Sequence, residues 1–192
     1  MLPNFSQNLR HAPFPHALKL DALSEGNNAA LLNWLENDAP WKLKIAEFYQ
    51  QYEFSFHDLA LPPPLDVLFA PDSVAMLKQS VEQIFGVSLS QRIDIAAHKL
   101  VSTQVIRIHN DYIPGQETHR ILIQLNRGWE EANGGILMLF SDRNPESLAS
   151  AFLPLNNSAF AFEISPKSFH AVSTIKSGDR YTIVISFFKD EN

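Results

Sequence analysis

From residue 92 onward the chain breaks into short alternating or apolar runs separated by turn residues: 92–100, 104–109, 119–126, 135–140, 150–154, 158–163, 168–173 and 180–188. Runs of this length, bounded in this way, predict strands and leave no room for helices of ordinary size. Upstream, Ala30, Leu31, Trp34 and Leu35 recur at helical spacing within Asn27–Asn37, and Pro40 ends that helix. The stretch Trp41–Ala46 alternates like a strand. The aromatic-rich segment Glu47–Leu59 fits either strand or helix, and Pro62-Pro63-Pro64 forces an extended linker. A second helix begins at Pro71-Asp72-Ser73, buries Val74, Leu77, Val81, Ile84 and Phe85, and is capped by Gly86. Residues 1–16 read as an irregular arm wrapping the body. Helices followed by eight short strands predict an α+β protein. Its C-terminal half is a two-sheet jelly roll or barrel, with the helices backing one sheet.

A chain of 192 residues with 45% hydrophobic content fills one core and is too short for two comfortable ones. We expect a single domain over 1–192, with a helical support region at 1–90 and the jelly-roll core at 91–192. Fifteen basic against 21 acidic residues give a net charge of −6 with no basic tract, so a nucleic-acid partner has no electrostatic footprint. The absence of cysteine excludes disulfides, Cys-type zinc sites, iron–sulfur clusters and a thiol nucleophile. Any metal must use histidine and carboxylate. No signal-peptide pattern opens the chain and no apolar run approaches the roughly 20 residues of a membrane span. A cytoplasmic protein without a membrane partner is the default expectation.

The residues richest in chemistry are His109-Asn110-Asp111, then His170, then Arg180-Tyr181-Thr182. Read as the end of the alternating run 104–109, His109 and Asp111 share one strand face and can reach one ion. A histidine from a distant strand, His170, completes three ligands on one side of a metal. That is the 2-His-1-carboxylate facial triad of non-haem Fe(II) oxygenases, with positions left open for other ligands. Arg180 opens the last apolar run, on an inward face of a strand expected to pair near the one carrying His170. Its planar fork holds a carboxylate by two hydrogen bonds. Thr182, two residues on, adds a hydroxyl from the same face.

These residues resemble the Fe(II)- and 2-oxoglutarate-dependent dioxygenases, in particular their prolyl-hydroxylase-like branch. The resemblance runs from about Gln104 to Phe188. It rests on His109-Asn110-Asp111, Ile121–Asn126, Gly134-Gly135 with Ile136–Phe140, Phe169-His170-Ala171-Val172 and Arg180-Tyr181-Thr182, in that order. The first 100 residues match only the general layout of helices before a double-stranded β-helix, the cupin-like jelly roll. The resemblance implies that His109, Asp111 and His170 bind Fe(II), and that Arg180 and Thr182 hold the distal carboxylate of 2-oxoglutarate. Oxidation by O₂ then yields succinate, CO₂ and a hydroxylated C–H. Many relatives have a cosubstrate-touching tyrosine where this chain has Gln124, whose amide can also donate to a carboxylate. Asp111 argues against the related halogenases, which lack that carboxylate.

The resemblance implies an amino-acid side chain as substrate, with a peptide or protein slightly preferred over a free amino acid. Loops at the barrel mouth are expected to read it: Tyr112–Thr118, Asp142–Ala149 and the Tyr49–Pro64 region. His119 or Arg120, just after the first loop, is placed to touch it. The aromatic residues at 48–56 are core, or else a wall of the substrate pocket. Each feature also has a plainer reading. A lone His-x-Asp is common, His170 alone is a core histidine, Arg180 alone pairs with Asp179, and Gly134-Gly135 is first a hairpin turn. Histidines 11, 16, 57, 98 and 119 are assigned to no metal. Two alternative functions remain at this stage, a non-catalytic iron and 2-oxoglutarate sensor and a metal-free jelly-roll recognition domain.

Overall fold

A computed structural model describes residues 2–5, 9–57 and 59–190; Met1, residues 6–8, Asp58 and residues 191–192 lie outside it. In chain order the elements are β1 (His16–Lys19), α1 (Glu25–Asn37), β2 (Lys42–Ile45), β3 (Gln50–Ser55), α2 (Pro71–Phe85), β4 (Leu89–Leu100), β5 (Ile106–His109), β6 (His119–Gln124), β7 (Leu137–Phe140), β8 (Leu148–Phe152), β9 (Ser158–Glu163), β10 (His170–Val172) and β11 (Arg180–Lys189). The strands form a seven-stranded sheet in the order β1-β9-β6-β11-β4-β3-β2 and a four-stranded sheet in the order β5-β10-β7-β8. This is the jelly-roll core of a double-stranded β-helix, and all eight runs read from residue 92 onward became strands.

The two helices form where their sequences permit it. Ser24 accepts a hydrogen bond from the amide of Asn27 at the start of α1. Pro71 occupies the first turn of α2, where its missing N–H costs nothing, and Gly86 closes that helix at φ 66°. Leu31, Leu32 and Leu35 of α1 and Leu77 and Val81 of α2 bury themselves against one face of the large sheet, on Ala97, Ile121, Ile123, Ile183 and Ile185. The other face of that sheet meets the small sheet through Leu100, Phe160 and Phe162, packed on Leu137, Leu139 and Val172. Strand β11 lies between β4 and β6 and is buried along nearly its whole length. Covered on both faces, it is apolar on consecutive residues, Ile183-Val184-Ile185 and Phe187-Phe188, instead of alternating.

Three expectations need correction, and one open reading is resolved. The described residues of the 1–16 arm do wrap the body, with Leu2, Phe5 and Phe14 buried, but the arm's end starts β1, which pairs with β9 at the sheet edge. That strand is too short for a periodicity signal. Glu47–Leu59, ambiguous in sequence, contributes strand β3, which pairs with β2 and β4. Arg180 and His170 do not lie on neighbouring strands. β11 pairs with β4 and β6, whereas β10 pairs with β5 and β7, so the two residues face each other from opposite sheets. Finally, Gly134-Gly135 is not a hairpin turn; it follows a short 3-10 turn over Glu131–Asn133 and leads into β7.

Candidate active site

His109 and His170 are directly paired across β5 and β10, so the sheet itself places their rings side by side, with centroids 4.3 Å apart. Asp111 joins them by a route the sequence did not show. β5 ends at His109, and Asp111 takes a left-handed backbone conformation at φ 56°, which a short polar residue tolerates. The turn, not strand alternation, brings its carboxylate back to the imidazoles. Ser168 secures this turn, donating from Oγ to the carbonyl of Asn110, while the Asn110 amide donates to the carbonyl of Pro166.

The three side chains form a set able to hold a metal ion, each offering one ligand atom within 4.8 Å of the others. Nδ1 of His109 donates to the carbonyl of Arg107 and Nδ1 of His170 to that of Ser168, both at 2.8 Å. A carbonyl can only accept, so each ring carries its proton on Nδ1 and presents the Nε2 lone pair inward. Nε2 of His109 lies 3.3 Å from Asp111 Oδ1, and Nε2 of His170 lies 3.2 Å from Oδ2. Two lone pairs and a carboxylate facing one point repel unless a cation sits among them, which is the condition a metal ion meets. Burial pushes His170 toward the neutral form, and the hydrogen bond that a protonated ring would make to Asp111 opposes this only in part. Burial alone would raise the Asp111 carboxyl. The Arg120 guanidinium, the nearest full positive charge, outweighs it and holds that carboxyl well below the usual carboxylate range. Asp111 is therefore an anion at neutral pH.

The second half of the site is Arg180. Its Nε donates to the carbonyl of Gly135 at 3.0 Å and its Nη1 to Thr182 Oγ1 at 2.8 Å. Nη2 is buried and has no protein partner. Burial of the whole residue pushes its pKa down to about 10, so it stays charged at neutral pH. A buried, charged, half-satisfied guanidinium is costly unless an anion completes it. Thr182 in turn donates to Gln124 Oε1 at 3.0 Å, so Gln124 stands behind the hydroxyl as its orienting partner. Gln124 is absent from the cavity wall, unlike the direct contact expected of it.

Gly135 makes room for this arrangement. At φ 66°, a Cβ there would come within 2.7 Å of Ile175 Cδ1 and 2.9 Å of Arg180 Cδ. Gly135→Ala is expected to cost about 1–3 kcal/mol of stability by overpacking and strain. It should also weaken carboxylate binding more than metal binding. Chemical denaturation and separate titrations of metal and carboxylate ligand on the variant check both.

Both halves open on one cavity of about 320 Å³, walled by Leu100, Leu122, Leu137, Phe162, Val172 and Val184. Phe48 stacks on His109 at 4.5 Å, and Phe162 meets His170 edge-on at 5.1 Å. Of the loops expected at the mouth, the first supplies Glu117 and the third supplies Tyr49, Gln51 and Glu53, whereas 142–149 contributes no lining residue. The aromatics divide: Phe54 and Phe56 are core, Phe48 and Tyr49 line the cavity. Lys44 and His98 also line it, and sequence gave no signal for them beyond strand parity.

Arg120 reaches the site and His119 does not. His119 is buried on the opposite side of β6, against Phe85 of α2 at 4.9 Å, and its Nε2 lacks a partner. Burial pushes its pKa down from 6.5 to about 4. The unfolded chain therefore takes up a proton that the folded chain refuses, and stability falls as pH drops through the window from 6.5 to 4. From about pH 7 to about pH 5 this one group should cost on the order of 2 kcal/mol. His119→Leu is expected to remove that loss, read as urea midpoints at the two pH values.

With this geometry in place, residues 95–189 match the 2OG-Fe(II) oxygenase superfamily. The chain belongs to that family, whose members use Fe(II), 2-oxoglutarate and O₂. Among curated relatives, prolyl 3-hydroxylase OGFOD1 of Xenopus laevis is 30% identical over 112 residues, which is 57% of this chain and 22% of that protein. The chain thus spans about a fifth of the length of the curated relatives it matches, the mouse protein of the same name included. Among solved structures, a prolyl-4-hydroxylase of Pseudomonas putida superposes with a TM-score of 0.72 at 14% identity, over 91% of this chain and 92% of that one. A prolyl hydroxylase of Trichoplax adhaerens, solved with a hypoxia inducible factor peptide, gives 0.72 at 12% identity, over 91% and 83%. These two likenesses establish the fold. Among the described residues no helix is long and apolar enough to cross a membrane.

Proposed function

We propose that this chain is an Fe(II)- and 2-oxoglutarate-dependent dioxygenase that hydroxylates a C–H of an amino-acid side chain within a peptide or protein, a prolyl residue first among them. The observation carrying this reading is the unpaired Arg180 Nη2, buried in the wall of the same cavity that holds the His109, Asp111 and His170 donor set. A metal site alone needs no buried guanidinium, and a recognition surface needs neither.

His109, Asp111 and His170 would hold Fe(II), and Arg180, backed by Thr182 and Gln124, would take the distal carboxylate of 2-oxoglutarate. Bound together with O₂, that pair supplies the oxidation, converting 2-oxoglutarate to succinate and CO₂ with one oxygen atom delivered to the substrate. The protein's own work is placement. The two Nδ1–H bonds to backbone carbonyls fix both imidazole planes and keep Nε2 free for the metal. Gly135 and Thr182 hold the guanidinium so that one edge faces the ligand. Phe48, Phe162 and the aliphatic wall keep water from the reacting centre.

The prolyl and peptide preference draws on the relatives' activities and on two charged or aromatic walls of the cavity, one of Lys44, Phe48, Tyr49 and Glu53 and one of Glu117 and Arg120. The test is aerobic incubation of the iron-loaded protein with 2-oxoglutarate and a library of proline-containing peptides, reading succinate and a gain of one oxygen atom in the peptide. Oxidised peptide in step with succinate supports the reading. Oxidation of free amino acids alone, with only uncoupled succinate from peptides, would show the peptide assignment to be wrong.

A further inference from the structure

Arg120 is the one cationic residue in direct contact with the Asp111 carboxylate among the described residues. Its Nη1 binds Asp111 Oδ2, its Nη2 binds Glu117 Oε1, and its Nε donates to Ser186 Oγ at 3.3 Å. All three groups are largely withdrawn from solvent, with side-chain exposures of 14% for Asp111, 16% for Arg120 and 25% for Glu117. The contact spans the 111–120 loop and closes it, with Arg120 at the start of a strand and Asp111 in its left-handed turn. Ser186, on the neighbouring strand β11 directly opposite Arg120, anchors the guanidinium to the large sheet.

We propose that Arg120 is a positioning residue for the carboxylate ligand, and that Glu117 is its counter-charge. The inference rests on the metal-dependent reading above. Asp111 sits in a turn, where neither strand register nor helix packing fixes its side chain, so its orientation must come from a partner. A guanidinium bonded to one carboxylate oxygen sets the carboxylate plane against the two imidazoles and lowers the entropy lost when the metal binds. Arg120 alone would also oppose a metal cation by charge. Glu117 neutralises it, so the cluster of Arg120, Asp111 and Glu117 keeps one net negative charge for the ion. The arrangement thereby gains orientation without spending the charge of the ligand.

Titration of the purified protein with Co(II), standing in for Fe(II), reads this directly through the ligand-field absorption, with circular dichroism confirming the fold of each variant. Wild type should bind tightly, Arg120→Met about 10- to 100-fold more weakly, and Arg120→Lys in between, because lysine restores the charge but not the fork. Glu117→Gln, which touches no metal ligand, should weaken Co(II) several-fold by leaving Arg120 uncompensated, and it serves if Arg120→Met does not fold. Wild-type affinity in folded Arg120→Met overturns the proposal, as does Arg120→Lys behaving like Arg120→Met, or Glu117→Gln binding as wild type. Failure of the wild-type protein itself to take up Co(II) would instead sink the metal-dependent reading, a distinct result.

Discussion

Replacing His170 by alanine is expected to abolish the visible charge-transfer band that forms when the protein is reconstituted anaerobically with Fe(II) and 2-oxoglutarate. The ring is the only one of the two imidazoles fully enclosed by the barrel, edge-on to Phe162 and bonded to Ser168, so no neighbouring group can take its place. Its loss leaves one imidazole and a carboxylate that Arg120 already engages. Metal affinity should fall by at least about 100-fold, since losing a direct ligand costs more than the roughly 10- to 100-fold that losing an outer partner costs. Because the Nε2 lone pair of His170 and the Asp111 carboxylate repel across 3.2 Å when no cation lies between them, the metal-free fold should change little. A band of wild-type intensity in His170→Ala would exclude this residue from the metal site.

Arg180→Ala should act on the other ligand. Removing the guanidinium deletes charge-assisted hydrogen bonds to a carboxylate, worth about 1.5–3 kcal/mol each, so affinity for 2-oxoglutarate should drop on the order of 100-fold. Binding of the metal alone should stay near wild type, since Arg180 belongs to the sheet opposite His109 and His170. The two variants therefore separate metal from cosubstrate. Arg180→Lys should recover little, because a single ammonium cannot donate to Gly135, to Thr182 and to a ligand in the same geometry. Equal 2-oxoglutarate titrations for wild type and Arg180→Ala would refute the clamp.

Much of the site was legible from residue types and order. His109, Asp111, His170, Arg180 and Thr182 all line one cavity, as read from sequence. Arg180 and Thr182 were placed on one inward face by the period of two, and the structure keeps that parity. For Asp111 the rule reached the right place by the wrong route, because the strand ends at His109 and Asp111 itself has positive φ, and composition gives no warning of a left-handed aspartate. Gln124 was identified as part of the site, but its partner is Thr182, a pairing set by strand register across β6 and β11. His119 and Arg120 are adjacent in sequence and looked alike as mouth residues. Alternation sends one against Phe85 and the other to Asp111, and only knowing which face meets the helices tells them apart.

By itself the sequence determined the eight strands from residue 92 onward, which residues carry the chemistry, and which kinds of ligand they suit. Those properties are local: hydrophobic period, turn residues and side-chain donor type do not depend on distant partners. The tertiary structure decided how the segments meet. It put Arg180 across from His170 instead of beside it, paired Arg120 with Asp111 and Glu117, and left Arg180 Nη2 buried without a partner. Such contacts depend on sheet order and register, which arise from the packing of residues far apart in the chain and leave no periodic trace along it.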